Sequence, residues 1–251
     1  VKSEPEGDGT GAPGVAAGTR LAFGPGTRRL GPGLLSGGNP WRLLRLTAGG
    51  DRWIDRWRVG QTVPDAGGAR RLATRLVDTG LAWSRPVADR EVPVTVVVPC
   101  RDRAAGLAAT LQALGPNVET VVVDDGSCAP AETADVAARR PRTRVIQRAA
   151  RGGPAAARND GWRRGAPDAE LIAFLDTECI PPPGWIAQLA GHFRDPRIGA
   201  VAPRIEAYGL PGGTPWLQAY DAVRSPLDLG ATPAAVRPRS TVPFVPSTAL
   251  M

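Results

Sequence analysis

From Val94 onward, five apolar runs, "VTVVVP", "VETVVV", "TRVIQ", "ELIAFL" and "IGAVAPRI", alternate with segments of helical character. None shows a clean polar alternation, so each is predicted as a strand covered on both faces. Between them lie "AAGLAATLQAL", "AETADVAARR", "PAAARNDGWRRG" and "PGWIAQLAGHF", where Pro154 and Pro183 suit first-turn positions. Strand and helix in strict alternation mean parallel strands joined by right-handed crossovers. The expected fold class is therefore α/β, with a Rossmann-like, mostly parallel sheet.

The pattern begins only after a linker, "SRPVADREVP". Residues 1–19 are polar and Gly-rich and are expected to be a disordered leader, neither a signal peptide nor a structured element. Residues 20–89 carry short apolar stretches followed by two helical ones, "DRWIDRWRVG" and "ARRLATRLVDTG", and a closing strand at Leu81–Trp83. This predicts a small winged-helix-like α+β domain. Residues 90–251 form the expected α/β domain.

Composition excludes several classes. No stretch reaches the roughly 18 to 20 apolar residues that cross a bilayer. Three cysteines, Cys100, Cys128 and Cys179, are too few and too scattered for a disulfide framework or paired metal ligands, and free thiols in a reducing, cytoplasmic setting are expected. For the full-length protein, membrane association stays open. The net charge of +7 is carried by arginine, Lys2 being the sole lysine. Guanidinium groups suit phosphate through paired hydrogen bonds. Because basic and acidic residues interleave, as in "GGDRWIDRWRVG", a nucleic-acid track is not expected.

In parallel sheets ligands meet the carboxyl ends of strands. The second strand ends in Asp124 and Asp125, of which one is expected to cap the turn at Gly126–Ser127 and the other, Asp125, to face a nucleobase or ribose. Pro99 is expected to end the first strand, which leaves Arg101 beside a base or phosphate and Asp102 as cap of the helix from Ala104. Gly152 and Gly153 precede a helix whose positive end and Arg158 suit an anion. The fourth strand ends in Asp176, with Glu178 two residues on, a hard-oxygen pair suited to Mg²⁺ or Mn²⁺. His192, the only histidine, is expected to be structural near a helix end that favours a cation. Of the seven tryptophans Trp216 is the candidate acceptor contact.

Taken in order, "VTVVVPCRD", "VVVDDGS", "RGGPAAARNDG" and "FLDTECIPPPGW" resemble the family 2 glycosyltransferases of GT-A fold, over Val92 to about Ala207. The resemblance implies a nucleoside diphosphate sugar donor, a uridine diphosphate sugar first. It places Pro99 in the base pocket, Asp125 on the nucleobase, Arg158 by the uracil or diphosphate, Asp176 on ribose, and Glu178 with Asp176 at the metal. Two departures stand out. Glu178 replaces the usual aspartate, and no downstream "ED" motif supplies a general base, so the catalytic base is expected beyond Met251, the acceptor half is expected to be missing, and the chain is expected to transfer little sugar.

The front block, "GNPWRLLRLTAGG" and "ARRLATRLVDTGLAW" ahead of "VPVTVVVPCRDR", narrows the resemblance to the mycofactocin-system glycosyltransferases of actinobacteria. It implies inverting, metal-assisted transfer of a hexose, glucose first, to a peptide-derived redox cofactor or its precursor. The same block resembles, more distantly, the peptide-recognition modules of peptide-modification systems. Two other classes stay open here: a nucleotidyltransferase, for which "PCRDRAAG" is a poor phosphate loop, and a nucleic-acid-binding regulator acting through the front domain.

Overall fold

The computed structural model describes residues 14–87, 92–166, 168–208, 214–238 and 240–251. They fall into two compact units. The first takes the described residues within Val1–Val87, His192–Gly199 and Pro233–Ala235, and the second those within Ala88–Gly191, Ala200–Thr232 and Val236–Met251.

In the first unit, strands β1 (Arg20–Phe23), β2 (Arg28–Gly31), β3 (Leu34–Gly37) and β4 (Arg42–Arg45) precede helices α1 (Ala48–Arg58) and α2 (Gly67–Asp78), and β5 (Ala82–Arg85) closes the unit. Strands β2, β3 and β4 form an antiparallel sheet in that order, while β1 pairs antiparallel with β5. Helix α1 starts where the Thr47 hydroxyl accepts the Gly50 N–H at 3.1 Å. Its buried Ile54 and Trp57 meet Ala73 and Leu76 of α2 in a core completed by Leu35 and Leu44 of the sheet. Residues 1–13 of the expected leader lie outside the described residues. Gly14–Thr19, expected to be loose with them, are packed instead: Val15 is 2% exposed and donates its N–H to Thr74 Oγ1 at 3.0 Å. A valine amid glycines is a weak sequence signal, yet its burial anchors the strand that follows. The segment around Asp195 groups with this unit through Arg197, which bridges Asp195 (2.8 Å) and Asp78 (3.2 Å).

The second unit runs β6 (Val94–Cys100), α3 (Ala104–Leu114), β7 (Glu119–Asp124), α4 (Pro130–Ala138), β8 (Thr143–Gln147), α5 (Pro154–Gly165), β9 (Leu171–Leu175), α6 (Trp185–Ala190), α7 (Pro215–Arg224) and β10 (Ala249–Leu250). The sheet order is β10-β9-β6-β7-β8, all parallel except β10. Val97, Val121 and Val123 cluster with Ala157 of α5. Strand periodicity turns Val96, Val98 and Val122, also fully buried, to the opposite face. Both faces are thus covered, which is why the apolar runs lack alternation.

Three expectations are corrected. "IGAVAPRI" is not a strand: around it only Val201 pairs, exchanging backbone hydrogen bonds with Met251 at 2.8 and 2.9 Å. Pro203 has no N–H to donate, and the antiparallel β10 takes the edge place beside β9 instead. Nor does Pro99 end its strand; β6 continues through Cys100, with Pro99 opposite Val123. Pro183 also lies one residue before Gly184, the N-cap of α6, rather than in the first turn.

Helix α5 approaches the sheet through glycines. A Cβ on Gly161 would collide with Val97 Cγ1 and lie 3.1 Å from Val123 Cγ2, and one on Gly165 would lie 2.6 Å from Val121 Cγ1. Alanine favours a helix by about 1 kcal/mol over glycine, but overpacking a close-packed face costs about 1–3 kcal/mol. Gly161→Ala is therefore expected to lower unfolding free energy in urea, despite its better helix propensity.

Candidate functional site

Connections β6–α3 and β7–α4 step the sheet one way, and β8–α5 returns the chain to the far side of β6. The reversal falls between β6 and β9, the place where open α/β sheets leave a crevice at their carboxyl ends. The loops after β6, β7, β8 and β9 carry the candidate residues.

The loop after β7 is held from both sides. Asp124 is 1% exposed, and its Oδ1 accepts the Ser127 N–H at 2.9 Å, the turn-capping role expected for one of the pair. Its Oδ2 is buried without a hydrogen-bond partner. Asp102 does not cap α3. It adopts φ +51, donates its N–H to Ser127 Oγ at 2.9 Å and accepts the Cys128 N–H at 2.6 Å, tying the first loop to the second. Asp125, 5% exposed, accepts the N–H groups of Gly152 (2.8 Å) and Gly153 (2.7 Å) and pairs with Arg148. Burial alone would push its carboxyl up, but the two N–H groups and the guanidinium hold it below the usual carboxylate range. Arg148 is oriented in turn by Asp160 of α5 at 2.7 Å. Asp125 thus clamps the start of α5. Arg148 was not foreseen; its signal in the sequence is an arginine just past the end of a predicted strand, facing the preceding strand's acid.

One turn into α5, Arg158 donates to Asp176 Oδ1 at 2.5 Å and to the Ser247 carbonyl at 3.2 Å. Asp125 and Arg158 therefore act on the same helix end, and Arg158 joins Asp176 to it. Glu178 takes another direction. Its backbone is left-handed (φ +74), and its Oε1 accepts from Arg103 at 2.7 Å beside the first turn of α3. It lines a cleft of about 860 Å³ with Arg101, Asp102, Arg103, Arg151 and Glu132. Pro99 is buried in β6, just behind that loop. Arg103 was not foreseen; only its place directly before a helix start could have marked it.

The structure holds Asp176 and Glu178 on one turn, and both charges act on Cys179. Its thiol is pushed up to about 11, first by burial and then by those carboxylates. Among the described residues no group of three or more His, Cys, Asp or Glu gathers as a metal cage. Asp176 and Glu178 are hard-oxygen donors two residues apart on that turn, the donor type a divalent ion takes together with phosphate oxygens, while Gly106 leaves the hollow in which the Glu178 side chain rests, turned to Arg103. Arg103 and Arg158 balance the two acids here.

The thiols give a direct check on this turn. At pH 8 about one part in a thousand of Cys179 would be thiolate. Burial also raises Cys100, whereas Cys128 is exposed. A disulfide reagent at pH 8 is expected to titrate one thiol quickly and the other two only after denaturation.

His192 and Trp216 lie apart from these loops in role. Burial pushes the His192 imidazole down, so the cation expected at a helix end is disfavoured. Trp216 sits on α7, not in a loop, and is 69% exposed beside exposed Tyr220 and Val223. No helix among the described residues is long and apolar enough to cross a membrane.

Comparison with known proteins gives three kinds of match. The family described as "Glycosyl transferase family 2" matches residues 95–250. Two curated proteins named pre-mycofactocin glycosyltransferase, from Mycobacterium tuberculosis strains CDC 1551 / Oshkosh and ATCC 25618 / H37Rv, are each 40% identical over 228 residues, covering 89% of this chain and 46% of theirs. The chain thus spans about half the length of the curated relatives it matches. Among solved structures, a Pyrobaculum calidifontis mannosyltransferase in complex with GDP-Man and Mn²⁺ is 24% identical with TM-score 0.43, covering 49% of this chain and 38% of that one. The S. aureus protein TarS (1–349) is 20% identical with TM-score 0.40, covering 47% and 38%.

Proposed function

From the premise that the chain belongs to glycosyl transferase family 2, with the mixed α/β, parallel-rich sheet of a GT-A fold, we propose that its second unit is the donor-binding half of an inverting, metal-assisted hexosyltransferase. The donor is a nucleoside diphosphate sugar, with uridine and glucose first. The observation that carries this is that the turn after β9 bears both Asp176, paired with Arg158 of α5, and Glu178, which lines a cleft with Arg101, Arg103 and Arg151. A doubly negative diphosphate needs such a place. The short loop after β6 also lacks the glycine-rich phosphate cradle of a nucleotidyltransferase.

In this reading Pro99 and Arg101 flank the base. Asp125 faces the nucleobase with whatever acceptor capacity its clamp leaves, and fixes the N-terminus of α5. Asp176 meets ribose, and Arg158 stabilises charge on the departing diphosphate. Glu178 with Asp176 would hold Mn²⁺ or Mg²⁺, whose chemistry is Lewis-acid neutralisation of that diphosphate. No residue of this chain is assigned as the base that deprotonates the acceptor hydroxyl.

The acceptor is proposed to be a peptide-derived redox cofactor or its precursor, in line with the name of the curated relatives, and the first unit to recognise it as a winged-helix-like, peptide-binding module spanning about residues 20–89. Supporting this, a groove of about 500 Å³ in that unit is floored by Leu44, Trp53 and Leu72 and edged by Arg45, Arg71 and Arg75. The three free cysteines favour a reducing, cytoplasmic setting, and no nucleic acid is assigned.

Titration calorimetry of uridine, guanosine and cytidine diphosphates, with and without Mn²⁺, tests the donor reading. Weak, Mn²⁺-dependent binding of uridine diphosphate is expected. No binding of any of the three, or binding indifferent to both base and metal, would end it.

A further inference from the structure

Three separate features aim the Glu178 carboxylate at Arg103 rather than at its neighbour Asp176. The first is backbone: Glu178 is one of two non-glycine residues with positive φ among those described, so its side chain leaves the turn after β9 in an unusual direction. The second is space. Gly106, in the first turn of α3, lacks the Cβ that would collide with Glu178 Cγ and lie 3.1 Å from its Oε1. The third is charge, the 2.7 Å bond from Arg103. Both side chains of that pair are more than half exposed, at 58% and 54%. Exposed pairs of this kind hold weakly and exchange partners readily.

Arg103 also lines the same cleft as Arg101 and Arg151. Resting on the donor reading above, we propose that Arg103 is a partner-exchange residue. It neutralises Glu178 until a divalent cation takes the carboxylate, and the released guanidinium then turns to the donor diphosphate. One positive charge would thus serve two sites in sequence, the metal side of an empty site and the phosphate side of a filled one. A guanidinium suits both because its planar fork binds carboxylate and phosphate with the same geometry. The consequence is that metal and nucleotide help each other to bind, since each removes the other's competitor.

Calorimetric titration of Mn²⁺ alone, and of uridine diphosphate with and without Mn²⁺, is to be run on the parent, Arg103→Gln and Gly106→Ala, with thermal unfolding by circular dichroism as the folding control. For Arg103→Gln the two affinities are expected to move in opposite directions. Mn²⁺ alone should bind about two- to fivefold more tightly, as an exposed competitor is lost. Uridine diphosphate with Mn²⁺ should bind about tenfold more weakly, as a charged hydrogen-bond donor is lost. A purely structural arginine would shift both in one direction or neither. Gly106→Ala fills the hollow under Glu178 without touching Arg103 and suits a helix, so it frees the guanidinium from the other side. Uridine diphosphate without Mn²⁺ should then bind about two- to fivefold more tightly, and the enhancement by Mn²⁺ should shrink. If the parent binds uridine diphosphate with Mn²⁺ but Arg103→Gln matches it, partner exchange is wrong while the donor site stands. If the parent binds no uridine diphosphate at all, both fall together.

Discussion

Replacing Asp125 by alanine is expected to cost the second unit about 3–5 kcal/mol of stability, a fall of roughly 10 °C in thermal midpoint. The carboxylate accepts two backbone N–H groups and a guanidinium at a site 5% exposed. Removing it strands all three donors, and the cost comes from unmet burial more than from the lost attraction. Asn at this position keeps one acceptor oxygen and should cost less. The pH dependence has a definite sign. Since the folded carboxyl sits below its ordinary value despite burial, the unfolded chain takes up its proton first. The stabilisation is then complete above the unfolded pKa, near 4, and fades as pH falls through the lower folded value. A urea series from pH 7 to pH 3 should show parent and Asp125→Ala converging at the acid end. Equal separation at all pH values would mean that the charge is irrelevant.

The same residue shows how far the sequence could be read. The sheet was legible because parallel strands covered on both faces must be apolar throughout, and a chain with β6, β7 and β9 has few other ways to hide "VTVVVP", "VETVVV" and "ELIAFL". The strand-end acids followed from that topology. What each acid holds did not follow, because it depends on loops meeting across long sequence separations. Asp125 reaches Gly152 and Gly153, and Asp102 reaches Ser127 and Cys128. Arg103 meets Glu178 from 75 residues away. Nor could hydrophobicity separate "IGAVAPRI" from a strand, since its failure lies in a missing proline N–H and in an edge already taken by β10. Local pattern determined the scaffold, and loop geometry determined which charge answers which.

The loops that carry Asp125 and Asp176 meet the start of α5, and the second large effect is expected there. Arg158 is 14% exposed, its Nε has no partner, and its bonds go to Asp176 and the Ser247 carbonyl. Asp176→Ala should therefore lower stability by about 1–3 kcal/mol, by leaving a half-satisfied guanidinium in a largely dry position. On the proposed donor reading it should also abolish measurable Mn²⁺-dependent binding of uridine diphosphate, because that reading gives Asp176 both the ribose and half of the hard-oxygen pair. Pairing it with Arg158→Met separates the two effects. The double variant removes the stranded charge and replaces it with an apolar chain of similar reach, so stability should return to within about 1 kcal/mol of the parent. Nucleotide binding should not return. Stability and binding recovering together would make Arg158 and Asp176 a scaffold pair, and the donor site would then have to be sought away from the start of α5.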